Sequence, residues 1–273
     1  CLEKAIELER GGNPDTWYQA ALALKGLGRA REALSLLDRA IRLREKPEYL
    51  GEKGEILIEL GRAGEALEYF ERALRLRPRE PSYWLGKGLA LAKLGRREEA
   101  LKHLERTIEL RENYPPAWYN RGVVLLEMGR TEEALNSLKK ALEFGGDESP
   151  EVWRKTALAL ERLGRYREAL ECLEKAIRLN PEDPEAWHDA GLILDKLGKT
   201  EEAIKHVEEA VKLNPNLSQA WLTLGKLYAK KRNREGLEKC LEKLKKLNPE
   251  LHRKLLLAIR GEEEEPPPPP PPP

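Results

Sequence analysis

Apolar and small residues recur along this chain with a period of about 34 residues, and the recurrence predicts pairs of short helices. The six tryptophans form one series, and the last five are separated by 34, 35, 34 and 34 residues. Leu50 takes the tryptophan position in the long interval between Trp17 and Trp84. The series reads Trp17, Leu50, Trp84, Trp118, Trp153, Trp187 and Trp221.

Three further columns follow each member of this series. A small residue comes four places later in all seven copies, and six of them have a glycine eleven places later and an alanine sixteen places later. In the copy around Trp187, the first helical face is predicted to hold Trp187, Gly191 and Leu194. The face of the second helix is predicted to hold Ala203, Val207, Ala210 and Leu213. The small residues let the two helices approach closely, and we expect the indole rings to fill the seams beside them.

The glycine column predicts where each first helix ends. A left-handed backbone position commonly ends a helix, and glycine adopts it without steric cost. The column contains Gly28, Gly61, Gly95, Gly129, Gly164 and Gly198. In the last copy Arg232 stands in the glycine position.

This unit, W-x2-L/K-G-x2-L…LG…A-x3-L…P, resembles the tetratricopeptide repeat over about residues 1–249. The resemblance implies an all-α fold, namely a right-handed superhelical solenoid of antiparallel helix pairs. It also implies that first helices line a concave groove and that second helices form the convex back. Proteins of this kind act as non-enzymatic scaffolds for other proteins.

The repeat pattern sets the predicted boundaries. Residues 1–13 match only a second helix, so we expect the array to begin within a repeat. Seven units are predicted at 14–46, 47–80, 81–114, 115–149, 150–183, 184–217 and 218–249. A capping helix is expected at 250–261, because Leu251, Leu255 and Ile259 recur every fourth residue. An acidic and polyproline tail is expected at 262–273.

Composition narrows the classes of partner. The 49 basic and 48 acidic residues give a net charge of +1, which argues against nucleic-acid binding. No apolar run approaches the roughly 18 residues of a membrane span. The chain shows no signal peptide and no paired cysteines, so a cytoplasmic location is expected. It also lacks an initiator methionine, which we interpret as the mark of a fragment of a longer protein.

The segment Gly198-Lys199-Thr200 is like the end of a phosphate-binding loop, but its surroundings favour a helix turn. That loop has four residues between its first glycine and its Gly-Lys pair, whereas six residues separate Gly191 from Gly198. Gly198-Lys199 also belongs to the glycine column, where a cation regularly follows. We therefore predict a turn, with Thr200 capping the second helix.

No residues point to catalysis or to a cofactor. Cys172, His206 and Cys240 share one column on successive second helices, which raises the alternative of a zinc site. Zinc needs four ligands, the fourth is missing, and stacked helices hold the three apart. We predict no metal, no cofactor and no enzyme activity, with these residues at half-exposed positions.

The implied groove gives the candidate binding residues. Places one and five after the tryptophan column face the concave side in the family, and here they form an aliphatic strip with two tyrosines. Arg154, Lys155 and Lys226 are expected to meet acidic side chains of an apolar or amphipathic partner segment. The alternative is that neighbouring helices bury the leucines. The predicted groove residues are Tyr18, Leu85, Leu89, Tyr119, Val123, Arg154, Lys155, Leu158 and Leu192.

The leading functional hypothesis is therefore a scaffold that binds a peptide segment of a partner protein. Two alternatives stay open: the scaffold arm of a larger multidomain enzyme, and a solenoid that assembles end to end. Self-association is also open, through the half-repeat at the N-terminus or through Pro266–Pro273.

Overall fold

The structure is a computed structural model that describes residues 13–261 of the chain. Over these residues it is all-α: fifteen α-helices, one π-helical turn and no strand. The predicted fold class, a solenoid of helix pairs, is confirmed. The half-repeat and the tail predicted at the two ends lie outside the described residues. The chain divides into two compact units, Cys1–Gly146 and Asp147–Pro273, which are called unit 1 and unit 2 here.

Unit 1 contains four antiparallel helix pairs. Its first helices are α1 (Pro14–Gly26), α3 (Pro47–Glu59), α5 (Pro81–Lys93) and α7 (Pro115–Glu127). Its second helices are α2 (Ala30–Leu43), α4 (Ala63–Leu76), α6 (Arg97–Leu110) and α8 (Thr131–Ala141). A proline opens each first helix, where its fixed φ and missing N–H have no cost.

Unit 2 contains three further pairs and a last helix. Its first helices are α9 (Pro150–Arg162), α11 (Pro184–Lys196) and α13 (Ser218–Lys230). Its second helices are α10 (Tyr166–Leu179), α12 (Thr200–Leu213) and α14 (Arg234–Leu247). The last helix, α15 (Pro249–Arg260), packs on α13 and α14 and buries Leu255 completely.

Each first helix ends in the left-handed turn that the glycine column predicts. The six glycines of the column have φ between 72° and 79°. In the first of these turns the Arg29 N–H donates to the carbonyl of Leu24 at 2.9 Å, the long hydrogen bond that satisfies an unpaired helix-end carbonyl. The cation after the glycine then pairs with a glutamate three residues on, as Arg29 does with Glu32 at 2.7 Å.

The last turn of this kind places an arginine where the others place glycine. Arg232 has φ 57°, the only positive value for a residue other than glycine among residues 13–261. A left-handed conformation costs a side-chain-bearing residue roughly 1–2 kcal/mol. We expect Arg232→Gly to raise the free energy of unfolding of unit 2 by about 1 kcal/mol in urea titrations. Gly198→Arg, the reverse change one repeat earlier, should lower it; a destabilising Arg232→Gly would contradict the argument.

Glycines inside the first helices let aromatic rings enter the seams between helices. Phe70 on α4 is 1% exposed, and its ring lies against the backbones of both Gly54 and Gly86. A Cβ atom would lie 2.7 Å from the ring at Gly54 and 2.3 Å from it at Gly86. The close helix contact predicted from the small-residue column is thus present, and here a phenylalanine fills it.

The tryptophans fill these seams only in part. Within residues 13–261, only Trp221 is buried, at 5% exposure, and the other five are half-buried. Their indole N–H groups have a second role that the sequence analysis missed. Five of them donate to the carbonyl six residues earlier, in the loop between repeats, as Trp187 does to Pro181 at 2.9 Å.

The interval from Trp118 to Trp153 is 35 residues, one more than the usual 34, and a local change in helix geometry accommodates the additional residue. Leu142–Gly146 forms a π-helical turn at the end of α8, and Gly145 within it has φ 105°. A π-helical turn accommodates an additional residue in a helix. Trp153 still donates to the carbonyl of Asp147 at 2.7 Å, so the register of the next repeat is preserved.

A series of ion pairs links successive repeats in unit 1. The cations lie three places after the tryptophan column, and their carboxylates lie on the second helix of the preceding repeat. The pairs are Lys53–Asp38, Lys87–Glu71 at 2.9 Å and Arg121–Glu105 at 3.2 Å. The Lys53 side chain is 8% exposed and that of Asp38 is 43% exposed, so the cation of this pair is buried while the carboxylate meets solvent. In unit 2 the same column holds Thr156, Ala190 and Leu224.

The segment Gly198-Lys199-Thr200 forms the predicted turn between two helices. The prediction that Thr200 caps α12 is wrong, because Lys199 is the cap residue and makes no side-chain capping bond. Thr200 is buried, and its hydroxyl donates to the Asp195 carboxylate at 3.2 Å. Lys199 pairs with Glu202 at 3.3 Å.

Candidate functional site

The first helices of each unit share one face, which is called the first-helix face here. Consecutive first helices contact each other, as α3 does α5 and α11 does α13. The first helices of these neighbouring pairs therefore lie side by side. Residues one and five places after the tryptophan column lie on these helices, as the sequence analysis assumed.

In unit 1 the predicted residues differ in accessibility. Leu85 is 9% exposed, so it belongs to the core and is not available to a partner, which corrects its place among the groove residues. Leu89, Tyr119 and Val123 are half-buried. Tyr18 is also half-buried and packs on Tyr49, with 5.0 Å between ring centroids.

Unit 1 also carries a charged cluster that the prediction did not select. The Lys25 ammonium lies 2.7 Å from Glu52, 2.9 Å from Glu55 and 3.7 Å from Glu59. Burial acts to lower the pKa of Lys25, but its hydrogen bonds to Glu52 and Glu55 outweigh burial and raise that pKa. Three carboxylates against one amine leave this part of the face acidic.

In unit 2 the predicted residues Arg154, Lys155 and Leu158 line a cavity of about 460 Å³ between α9 and α11. Ala157, Leu173 and Ile193 contribute apolar walls, and Glu161 and Asn180 contribute polar ones. Leu192 is half-buried on α11 but does not line this cavity. Seven of the twelve residues that line the cavity are polar or charged, so it is a mixed and mainly polar recess.

The expectation that Arg154 is free for acidic side chains is wrong. Its guanidinium lies 3.1 Å from Asp183 and 3.4 Å from Asp189, and its Nε is buried without a hydrogen-bond partner in the described part of the chain. Burial raises the pKa of the Asp189 carboxyl to about 6, against the opposing effect of Arg154. The guanidinium charge is therefore already balanced within the chain.

His188 lies beside this cavity and contacts the next first helix. Its Nε2 makes a 3.0 Å hydrogen bond with Thr223 Oγ1, and its Nδ1 lies 3.8 Å from Asp189. Burial, with a contribution from Arg154, lowers the pKa of His188. The ring therefore links α11 to α13 beside the cavity.

The three residues that suggested a zinc site, Cys172, His206 and Cys240, each pack in a different environment. Cys172 and Cys240 are buried, not half-exposed as predicted, and burial raises the pKa of the Cys240 thiol to about 12. The His206 ring packs on Trp187 at 5.2 Å between centroids. Between residues 13 and 261, no group of three or more His, Cys, Asp or Glu side chains is arranged to hold a metal ion.

Across residues 13–261, no helix combines the length and the apolar character that crossing a bilayer requires.

Comparison with known proteins gives the following matches. Two family models described as tetratricopeptide repeat match the chain, one over residues 18–81, 154–218 and 188–235. The other matches over residues 79–147 and 114–182. A comparison with curated protein sequences gave no match.

Several solved structures are similar. YrrB, described as a TPR protein with an unusual peptide-binding site, is 26% identical, with 70% of this chain and 97% of YrrB covered and a TM-score of 0.60. TTC0263, a thermophilic TPR protein of Thermus thermophilus, is 26% identical, with 67% and 99% covered and a TM-score of 0.58. The APC/C hetero-tetramer Cut9–Hcn1 is 17% identical, with 94% and 51% covered and a TM-score of 0.72, and shows the fold alone.

Proposed function

The chain belongs to the tetratricopeptide repeat family, whose fold generally binds protein partners, and from this premise we propose that its first-helix faces hold a peptide segment of a partner protein. The proposal describes a scaffold without catalytic activity. The cavity of about 460 Å³ between α9 and α11 is the observation that carries it.

The chemistry of the cavity supports a peptide ligand. Leu158, which is half-buried, offers apolar surface, while Lys155 and Asn180 offer donors and Asn180 and Asp189 offer acceptors. A peptide presents the same mixture, because each residue carries one donor and one acceptor on the main chain beside its side chain. The similarity to YrrB, whose description includes a peptide-binding site, adds support.

The first-helix face of unit 1 offers a second surface that suits a peptide segment. Leu89, Tyr119 and Val123 are half-buried, so part of each side chain stays accessible. Together they provide apolar contact area, and the carboxylates of Glu55 and Glu59, each about half exposed, lie farther along this face.

The test is a selection of random peptides displayed on phage against the whole chain, followed by fluorescence anisotropy with the enriched peptides. For peptides that bind unit 2, Leu158→Glu should weaken binding at least about tenfold, because it adds an unpaired charge to the cavity wall. Leu89→Glu is the corresponding change for peptides that bind unit 1. Circular dichroism should show unchanged helicity in both variants.

Leu179→Glu is the matched control, since Leu179 is 45% exposed at the end of a second helix. It should leave the affinity unchanged. If the enriched peptides bind all three variants as tightly as the unchanged chain, they bind elsewhere and the proposal is wrong.

A further inference from the structure

A concentrated basic surface lies at the end of unit 2, away from the cavity between α9 and α11. Residues 226–261 contain twelve lysines and arginines against four glutamates, although the whole chain has a net charge of +1. All twelve basic residues are exposed. Such a local excess attracts acidic partners.

Most of this charge is not balanced by nearby carboxylates. Lys230 pairs with Asp195 at 2.7 Å, and Lys231 pairs with Glu201. Lys239, Lys243 and Lys246 form no ion pair with residues 13–261. They follow one side of α14 at a spacing of four and three residues, which covers roughly 10 Å of helix.

A cavity of about 400 Å³ lies beside these lysines, between α12, α13 and α14. Val211, Trp221 and Leu224 form its apolar walls, and Lys239 and Lys243 also line it. The Lys243 ammonium lies 5.9 Å from the centre of the Trp221 ring. The cavity thus combines an apolar interior with two unpaired cations.

Two other charged groups of the cavity are already engaged. The Glu208 carboxylate accepts the hydroxyl hydrogen of Tyr228, and Lys212 pairs with Glu209 at 3.0 Å. Glu208 keeps its negative charge in this hydrogen bond, so the cavity offers a ligand the two cations Lys239 and Lys243 beside one carboxylate.

We propose that this cavity is a second docking site, separate from the first-helix faces, and that it binds an acidic amphipathic helix of a partner protein. An apolar side chain of that helix enters the space beside Trp221. Carboxylates four residues apart on the helix pair with Lys239 and Lys243, whose own separation along α14 is the same four residues.

The geometry favours a protein segment over two other polyanions. A nucleic-acid base needs an accessible aromatic face for stacking, but Trp221 is only 5% exposed. A membrane surface meets a protein with apolar side chains that project outward, whereas the apolar groups here line a recess.

The test uses three fluorescein-labelled helical peptides of sixteen residues and the whole chain. The first carries leucine as the apolar anchor and glutamates four residues apart; the second replaces each glutamate by glutamine, and the third replaces each leucine by asparagine. Fluorescence anisotropy should show the first peptide binding at least about tenfold more tightly than the other two. Equal binding of the first two peptides would remove the electrostatic part of the proposal and overturn it.

The assignment to this site is tested by a double charge reversal, Lys239→Glu with Lys243→Glu. This variant should lose at least about tenfold in affinity for the first peptide. Lys102→Glu with Lys139→Glu makes the same change of charge at exposed positions of unit 1 and should have no effect. An unchanged affinity in the first variant overturns the proposal.

Two further arms complete the test. The titrations are repeated with a variant in which glutamine replaces Glu262–Glu265, so that the acidic run of the chain itself does not compete with the peptide. If the first peptide binds neither the unchanged chain nor this variant, the proposal is overturned. A twenty-nucleotide oligo-dT and vesicles with 30% phosphatidylserine, about the anionic content of a charged leaflet, are the alternative ligands. Tighter binding of either one than of the first peptide also overturns it.

Discussion

Replacing Gly86 by alanine is expected to lower the free energy of unfolding of unit 1 by about 3 kcal/mol. The new Cβ would lie 2.3 Å from the Phe70 ring, which is 1% exposed and already lies against Gly54 on its other side. The ring has no free space to enter, so α4 and α5 must separate. Urea denaturation followed by circular dichroism measures the loss, and hydrogen exchange of the α5 amides locates it.

Gly64→Ala is the matched control for this prediction. Gly64 is also helical, but nothing lies within 4 Å of the position that its Cβ would take. There the better helix propensity of alanine should stabilise unit 1 by about 0.5–1 kcal/mol. Phe70→Leu should partly rescue Gly86→Ala by removing the obstructing ring, and failure of that rescue would show that the Phe70 contact is not the cause.

Replacing Trp221 by alanine is expected to destabilise unit 2 by about 4 kcal/mol, within the range for a buried tryptophan. Trp221 is 5% exposed and packs in the core formed by α12, α13 and α14. Its indole N–H also donates to the carbonyl of Pro215 at 2.9 Å. The substitution therefore leaves a cavity in the core and removes the hydrogen bond that ties the loop before α13 to this helix.

Two further substitutions separate these contributions in the same urea titration. Trp221→Phe keeps most of the buried area and loses the hydrogen bond, so it should cost about 1 kcal/mol. Trp187→Ala removes a ring that is only half-buried and should cost about half as much as Trp221→Ala. Equal losses at Trp187 and Trp221 would contradict a dependence on burial.

The regular part of the fold could be predicted from the sequence because each repeat needs the same residue types at the same places. A glycine that must adopt positive φ, as at Gly198, recurs at one place in every copy that has it. Arg232 was recognisable as the exception from the column alone. The sequence did not predict which aromatic residue fills a seam, because that depends on tertiary packing. No column of the sequence indicates that the ring between Gly54 and Gly86 is that of Phe70.

The candidate site was less predictable because its charges are balanced between repeats. Arg154 looked available until the structure placed Asp183 and Asp189 beside it, 29 and 35 residues later in the chain. Position on a first helix also did not decide exposure, since Leu85 is buried while Leu89 is half-buried. Such pairings depend on distances between helices, which residue spacing within one repeat does not determine.

Five indole N–H groups donate a hydrogen bond to the loop six residues earlier, and this bond bears on how arrays of this kind change length. The bond joins the start of one repeat to the end of the one before it, as Trp187 and Pro181 show. Duplication or loss of a whole repeat carries donor and acceptor along together and leaves every such joint intact. A partial duplication separates them, so the bond favours evolutionary growth and shortening in complete modules.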